Sequence, residues 1–174
     1  MSKKAISGKN EEVSLSSTLL AHTFGPFVPS GSRILILGSF PSKASRSAGF
    51  FYMHPTNRFY KALAGVFGEK EPLGISERSE FLARHRIALY DVLERCRITG
   101  STDSSIKDPE PADLETILCH TDIKAVFVTG HVAYNLYRRF FGGGALLLPS
   151  PSSANAAASL TDLIRAYSAI KSYL

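Results

Sequence analysis

The chain has 174 residues, 44% hydrophobic and 20% charged, with a net charge of +5. That length holds one domain with a real core, the composition is that of an ordinary soluble globular protein, and no apolar run is long enough to span a bilayer. The positive balance suits a polyanionic partner without demanding one. Two cysteines, Cys96 and Cys119, cannot ligate a four-cysteine cluster, and no zinc spacing is present, so two reduced thiols and no metal are expected. The polar N-terminus lacks the apolar core of a signal peptide, which argues against export. Residues 1–10 are expected to be a mobile tail and 11–174 a single domain.

In chain order, residues 13–24 carry Leu15, Leu19, Leu20 and Phe24 at helical spacing, a candidate first helix. Ile34-Leu35-Ile36-Leu37 reads as a buried strand, stopped by Gly38-Ser39-Phe40-Pro41. A polar and aromatic loop follows. Thr56 is the expected N-cap of a helix whose apolar face holds Phe59, Leu63, Val66 and Phe67. Ser76 is the expected cap of the next helix. Residues 87–93 read as a second strand, or a strand running into a short turn, and 95–111 as a long polar loop, of the kind that is usually functional or mobile. A helix over 113–119 precedes a strand at 125–128. His131 opens a helix presenting Val132, Leu136 and Phe140, ended by Gly142-Gly143-Gly144. Ala145-Leu146-Leu147-Leu148 is the fourth strand, and a last helix over 156–173 turns Leu160, Leu163, Ile164, Tyr167 and Ile170 inward. Strands alternating with helices predict an α/β fold, a three-layer α/β/α sandwich around a mostly parallel four-stranded sheet.

In such a sheet the loops after the strands emerge at one edge, where ligands bind. Three loops, 38–57, 95–111 and 149–155, would gather Ser39, His54, Asn57, Ser101, Asp103, Ser150, Ser152, Ser153 and Asn155 with Phe40, Phe51 and Tyr52. Hydroxyls and backbone amides suit phosphate oxygens, and aromatics suit stacking on a base. No loop has the spacing of a phosphate-binding or dinucleotide-binding glycine motif, so no nucleotide cofactor is expected.

Gly38-Ser39-Phe40-Pro41-Ser42, followed by Gly49-Phe50-Phe51-Tyr52-Met53-His54-Pro55-Thr56-Asn57-Arg58-Phe59, resembles the first motif of the uracil-DNA glycosylase superfamily. Within it, the chain is most similar to the hypoxanthine-DNA glycosylase branch. Leu89-Tyr90-Asp91-Val92-Leu93, Gly100-Ser101 with Asp103 and Ile106, and Leu148-Pro149-Ser150-Pro151-Ser152-Ser153-Ala154-Asn155 match in the same order. The last stretch sits where the superfamily carries its minor-groove loop. The resemblance implies a monofunctional enzyme without a cofactor that hydrolyses the N-glycosidic bond of a flipped-out deaminated base. Hypoxanthine is favoured, and the setting is base excision repair. It also implies DNA as the partner, a monomer, and a cytoplasmic location with the DNA. One departure stands out. Mismatch-specific relatives have a water-positioning asparagine, and other members an acidic residue, where this chain has Phe40. The resemblance then suggests that Asn57 takes a catalytic role.

Cleaving this bond places positive charge on the sugar and negative charge on the leaving base, so donors to the base and a held water both help. Asn57 offers an amide for either task; its local alternative is a first-turn residue bonding its own backbone. His54 could donate to the base or a phosphate, or be an ordinary loop histidine. Ser39 and Phe40 would line the base pocket, and one of Phe51 and Tyr52 would stack on the base. Ser150 and Ser152 would grip phosphate while Pro151, Ser153 and Ala154 wedge the duplex, with Asn155 or Ser153 as the alternative helix cap. Ser101 and Asp103 would stiffen their loop or meet phosphate. Asp91 is a candidate base, with tying down a turn as the more ordinary role. Arg46, Arg58, Arg138 and Arg139 are read as solvated charges, some of them near DNA. No lysine has the context of a buried Schiff-base nucleophile, so no strand cleavage is expected. The alternatives are a glycosylase of the same fold for uracil or for thymine or uracil mismatched with guanine, and a non-catalytic DNA-binding domain.

Overall fold

The computed structural model describes residues 18–98 and 105–174. Its centre is a parallel sheet of four strands, β2 (Ile34–Gly38), β3 (Ile87–Asp91), β6 (Ala125–Thr129) and β7 (Ala145–Leu148), ordered β3-β2-β6-β7. Ile34, Leu35, Ile36 and Leu37 of the inner strand β2 are 0% exposed. A strand covered on both faces has to be apolar along its whole length, which explains the unbroken aliphatic run. Helices flank the sheet, and the architecture is the expected α/β sandwich.

A second sheet departs from expectation. Strands β1 (Thr18–Ala21), β4 (Leu93–Ile98) and β5 (Lys107–Pro111) form a three-stranded antiparallel sheet ordered β1-β4-β5. Residues 18–21 are therefore strand rather than helix, because Leu20 and its neighbours pair across to Cys96 and its neighbours on β4. That distant pairing overrides a locally helical spacing. Much of the segment read as a long loop is likewise hairpin. Its prolines, Pro109 and Pro111, sit on the edge strand, where a missing N–H costs no ladder bond. Over 87–93 the strand β3 ends at Asp91 and runs into a bend at Val92, as one of the two expected forms has it, and a new strand, β4, starts at Leu93.

The helices are α1 (Lys43–Ala48), α2 (Phe59–Phe67), α3 (Gly74–Arg84), α4 (Leu114–Cys119), α5 (His131–Phe141) and α6 (Leu160–Tyr167), followed by a 3₁₀ turn at Ser168–Tyr173. The short α1 lies inside the first loop, capped by the Ser42 hydroxyl, which accepts from Ser45 N. Helix α2 begins later than expected: Asn57, rather than Thr56, supplies the side-chain oxygen, accepting from Phe59 N at 2.9 Å. Ser76 lies inside α3, and Glu77 instead accepts from the backbone N–H of Leu73 just ahead of it. The final helix starts at a capping box between Ser159 and Asp162. Leu160, expected to face inward, is exposed, while Leu163, Tyr167 and Ile170 are in the core.

Helix α2 packs on α6, with Leu63 fully buried. Leu63→Ala should therefore lower stability by about 2–5 kcal/mol, read as a reduced urea midpoint at constant slope. A loss well below that range would mean the α2 face is not packed as described.

Candidate active site

Three parallel strands end together at Gly38, Asp91 and Thr129, and the chain beyond them builds the site. Gly38 leaves space that Asp91 uses: a Cβ there would stand 2.4 Å from Asp91 Oδ1, and an ordinary 3.6 Å from the Tyr52 hydroxyl oxygen. Thr129 Oγ1 donates to the Leu37 carbonyl at 3.2 Å, so its one proton is committed. The Tyr52 hydroxyl, 3.2 Å away, is then the donor to Thr129. Tyr52 has a positive φ of 54°, a conformation uncommon for a bulky residue and held by the surrounding contacts. Its ring stacks on Phe59 at 3.8 Å and 11°. Burial, with Asp91 nearby, pushes the Tyr52 hydroxyl well above its usual pKa, so it stays a neutral donor.

The candidate residues divide. Phe51 is 2% exposed and packs among Phe24, Phe50, Tyr90 and His22. Of the two candidate platforms, Tyr52 is the one left half-buried. Phe40 is buried too, with the Arg46 guanidinium 5.6 Å above its ring and His22 edge-on. Ser39 is buried beside it. Ser101 and Asp103 lie outside the described residues.

Asn57 is half-buried, and the bond from Phe59 N to its Oδ1 orients the amide. Nδ2 is left as the donor. His54 is exposed, and its Nδ1 accepts from Thr56 N at 3.3 Å, so Nδ1 carries no proton and Thr56 Oγ1 donates to it at 3.0 Å. Ser153 Oγ, 2.7 Å from Thr56 Oγ1, must then donate to it. This chain of bonds ties the loop after β2 to the loop after β7 and leaves Nε2–H of His54 as the outward donor.

The loop over 149–159 is a series of small turns. Ser150 Oγ accepts from Ser152 N at 3.3 Å, Ser152 Oγ from Ala154 N at 3.2 Å, and Asn155 Nδ2 donates to Ser150 O at 3.0 Å. Both serine oxygens are used as acceptors there, which leaves their O–H protons to donate outward. Pro151 is buried, and the exposed tip is Ser153 and Ala154.

Arg58 holds this loop, a role that side-chain pattern did not reveal. Its guanidinium donates to three backbone carbonyls, Ala158 at 2.5 Å, Ser152 at 2.8 Å and Asn155 at 2.9 Å, and its own N–H donates to Pro151 O at 3.0 Å. It is not a solvated charge. Arg46 is also engaged, donating to Pro41 O at 2.6 Å. The signal available for Arg58 was its place in the chain, directly after Asn57. Two further residues went unread: Thr129, which anchors Tyr52, and His22, whose Nε2 lies 3.0 Å from Asp91 Oδ2.

A cavity of about 330 Å³ lined by Phe67, Arg84, His85, Arg86, Lys171 and Leu174 lies away from these loops. There His85 stacks on Phe67 at 3.5 Å and contacts Glu69. It shares no residue with the site.

The profile of the Uracil DNA glycosylase superfamily matches residues 25–171. The chain belongs to this superfamily. Among its relatives is the hypoxanthine DNA glycosylase of Methanosarcina barkeri, 32% identical over 136 residues, which make up 76% of this chain and 86% of the relative. The protein of the same name from Methanosarcina acetivorans is 29% identical over 141 residues, covering 79% and 89%. A solution NMR structure from Methanosarcina acetivorans, named as a candidate uracil DNA glycosylase, superposes with a TM-score of 0.71 at 26% identity and covers 88% of this chain and 99% of its own. The superfamily is one of DNA glycosylases, enzymes that hydrolyse N-glycosyl bonds in DNA.

Because Arg58 joins four points of one loop to α2, Arg58→Ala should cost about 2–4 kcal/mol of stability and make the 149–159 segment the first site of limited proteolysis. Arg58→Lys should recover little of it, since an ammonium cannot span several carbonyls as a planar fork does. Wild-type protection of the loop in Arg58→Ala would remove this role.

Proposed function

We propose that this chain is a monofunctional DNA glycosylase that removes a deaminated base, hypoxanthine first, from DNA in base excision repair, acting as a monomer. The observation that carries the reading is the orientation of Asn57. With Oδ1 occupied by Phe59 N, the amide keeps Nδ2 as a donor, one residue from the Thr56–Ser153 bond that joins the two loops that would embrace a flipped nucleotide. A leaving purine anion spreads its charge over ring nitrogens and O6, and a fixed N–H aimed at that charge lowers the barrier without reorganising. Base flipping asks for a stacking surface and a loop to enter the duplex. Tyr52, backed by Phe59, supplies the first; the tip at Ser153 and Ala154, braced by Arg58, supplies the second. Ser150, Ser152 and His54 have protons to offer phosphates.

The names of the two Methanosarcina relatives support hypoxanthine over uracil. So does Phe40, a buried apolar ring where other members place a water-positioning group. Every lysine among the described residues is exposed. A Schiff-base lysine works from a desolvated setting that lowers its pKa, so simple hydrolysis is the expected reaction.

The test is single-turnover excision with enzyme in excess, on duplexes carrying hypoxanthine opposite thymine, uracil opposite guanine, or thymine opposite guanine, followed by alkali. Hypoxanthine should leave fastest. Asn57→Ala should slow it about 10²–10³-fold. Asn57→Asp, which keeps the oxygen for Phe59 N but loses the donor, should be nearly as slow with unchanged melting. An active Asn57→Asp would remove the donor role. Faster uracil release would transfer the specificity to uracil, and DNA binding without any abasic product would leave a binding domain.

A further inference from the structure

His22 lies outside the residues that the superfamily profile matches, yet it reaches the floor of the site. Its side chain is 0% exposed, and Nε2 lies 3.0 Å from Asp91 Oδ2. A carboxylate only accepts, so Nε2 donates. The rings of Phe24, Phe40, Phe51 and Tyr90 surround the imidazole. Nδ1 is buried among them with no hydrogen-bond partner among the described residues. An unpaired polar atom in an apolar enclosure costs stability. If filling that space were the whole task, a phenylalanine would match the rings around it without that cost. The ring is there for the bond its other nitrogen makes.

Asp91 is the last residue of β3 and pairs in register with Gly38. Its Oδ1 overhangs the bare Cα of Gly38, beside the Tyr52 hydroxyl. Deamination changes what a base presents at this kind of position. Adenine N1 is a bare acceptor, whereas hypoxanthine N1 carries a proton; cytosine N3 and uracil N3 differ in the same way. A carboxylate oxygen accepts that new N–H and repels the lone pair of the undamaged base.

We propose that His22 is a positioning residue: its buried hydrogen bond holds the Asp91 carboxylate over Gly38 as the acceptor for the ring N–H that deamination creates. This rests on the reading that the site takes a deaminated base. The groups facing the pair are Tyr52 from the loop after β2, Tyr90 from β3, and Glu94 on β4, which accepts from the Tyr90 hydroxyl at 2.8 Å. Burial raises both tyrosines and keeps them neutral. Burial also raises the Asp91 carboxyl, and the bond from His22 pulls it back down. Ionised Asp91 is the competent form, so excision falls as pH drops through its pKa. Removing the His22 donor lets that pKa rise and moves the acid limb to higher pH.

The experiment is the pH profile of single-turnover excision on the hypoxanthine duplex, for wild type, His22→Phe, His22→Gln and Asp91→Asn, with thermal melts as the folding control. His22→Phe should shift the acid limb upward and slow excision at neutral pH about ten- to a hundredfold. His22→Gln, which keeps a donor, should return the limb toward wild type. Asp91→Asn should abolish the limb, and this arm still decides if His22→Phe fails to fold. A folded His22→Phe with an unmoved limb, or Asp91→Asn retaining it, overturns the proposal while leaving the glycosylase reading intact. A wild-type protein inactive on hypoxanthine and uracil duplexes overturns both.

Discussion

The absence of a side chain at Gly38 is the constraint around which the site closes. Three strand ends converge there, and bringing the Asp91 carboxylate over the end of β2 requires its last Cα to be bare. A methyl group would stand 2.4 Å from Asp91 Oδ1, so either the carboxylate or the strand register would have to give. Beside it Tyr52 lies across the strand end, reaches Thr129 on the far side, and puts its ring flat against Phe59 at the start of α2. One missing methyl thus brings the β3 carboxylate over β2, and Tyr52 beside it ties β6 to α2.

From Phe59 the connection passes to the last loop. Residues 57, 58 and 59 have three separate duties: an amide oriented by the backbone, a guanidinium spread over carbonyls, and a ring that supports Tyr52. Crowding these into one helix start makes the site rigid at the point where the loops after β2 and β7 meet. A second link, through His54, Thr56 and Ser153, lies exposed and joins the same two loops by hydroxyls. Preorganised donors of this kind are how a protein favours charge that develops only during reaction.

The parallel sheet was legible in the sequence because fully buried strands must be aliphatic runs, as in Ile34 to Leu37 and Val126 to Val128. The second sheet was hidden. Residues 18–21 have a helical spacing, and only the partner strand β4, far along the chain, makes them extended. Motif reading singled out Asn57, but neighbouring aromatics on an irregular loop cannot be told apart by pattern: at the left-handed turn Tyr52 lays its ring half-buried on Phe59, while Phe51 goes to the core. Arg58 looked like any surface charge, since its partners are carbonyls and carbonyls leave no trace in side-chain identity. His22 and Asp91, 69 residues apart, carried no local signal that they would meet.

The partners of Arg58 have an electrostatic consequence. They are neutral peptide oxygens, and among the described residues no carboxylate pairs with it. Its charge is half-buried and is not cancelled by a carboxylate. The 149–159 loop, which contains no lysine or arginine of its own, therefore carries a positive potential supplied from beneath. An approaching polyanion would be drawn to a surface made only of small, uncharged side chains, able to slide close without a long basic side chain in the way.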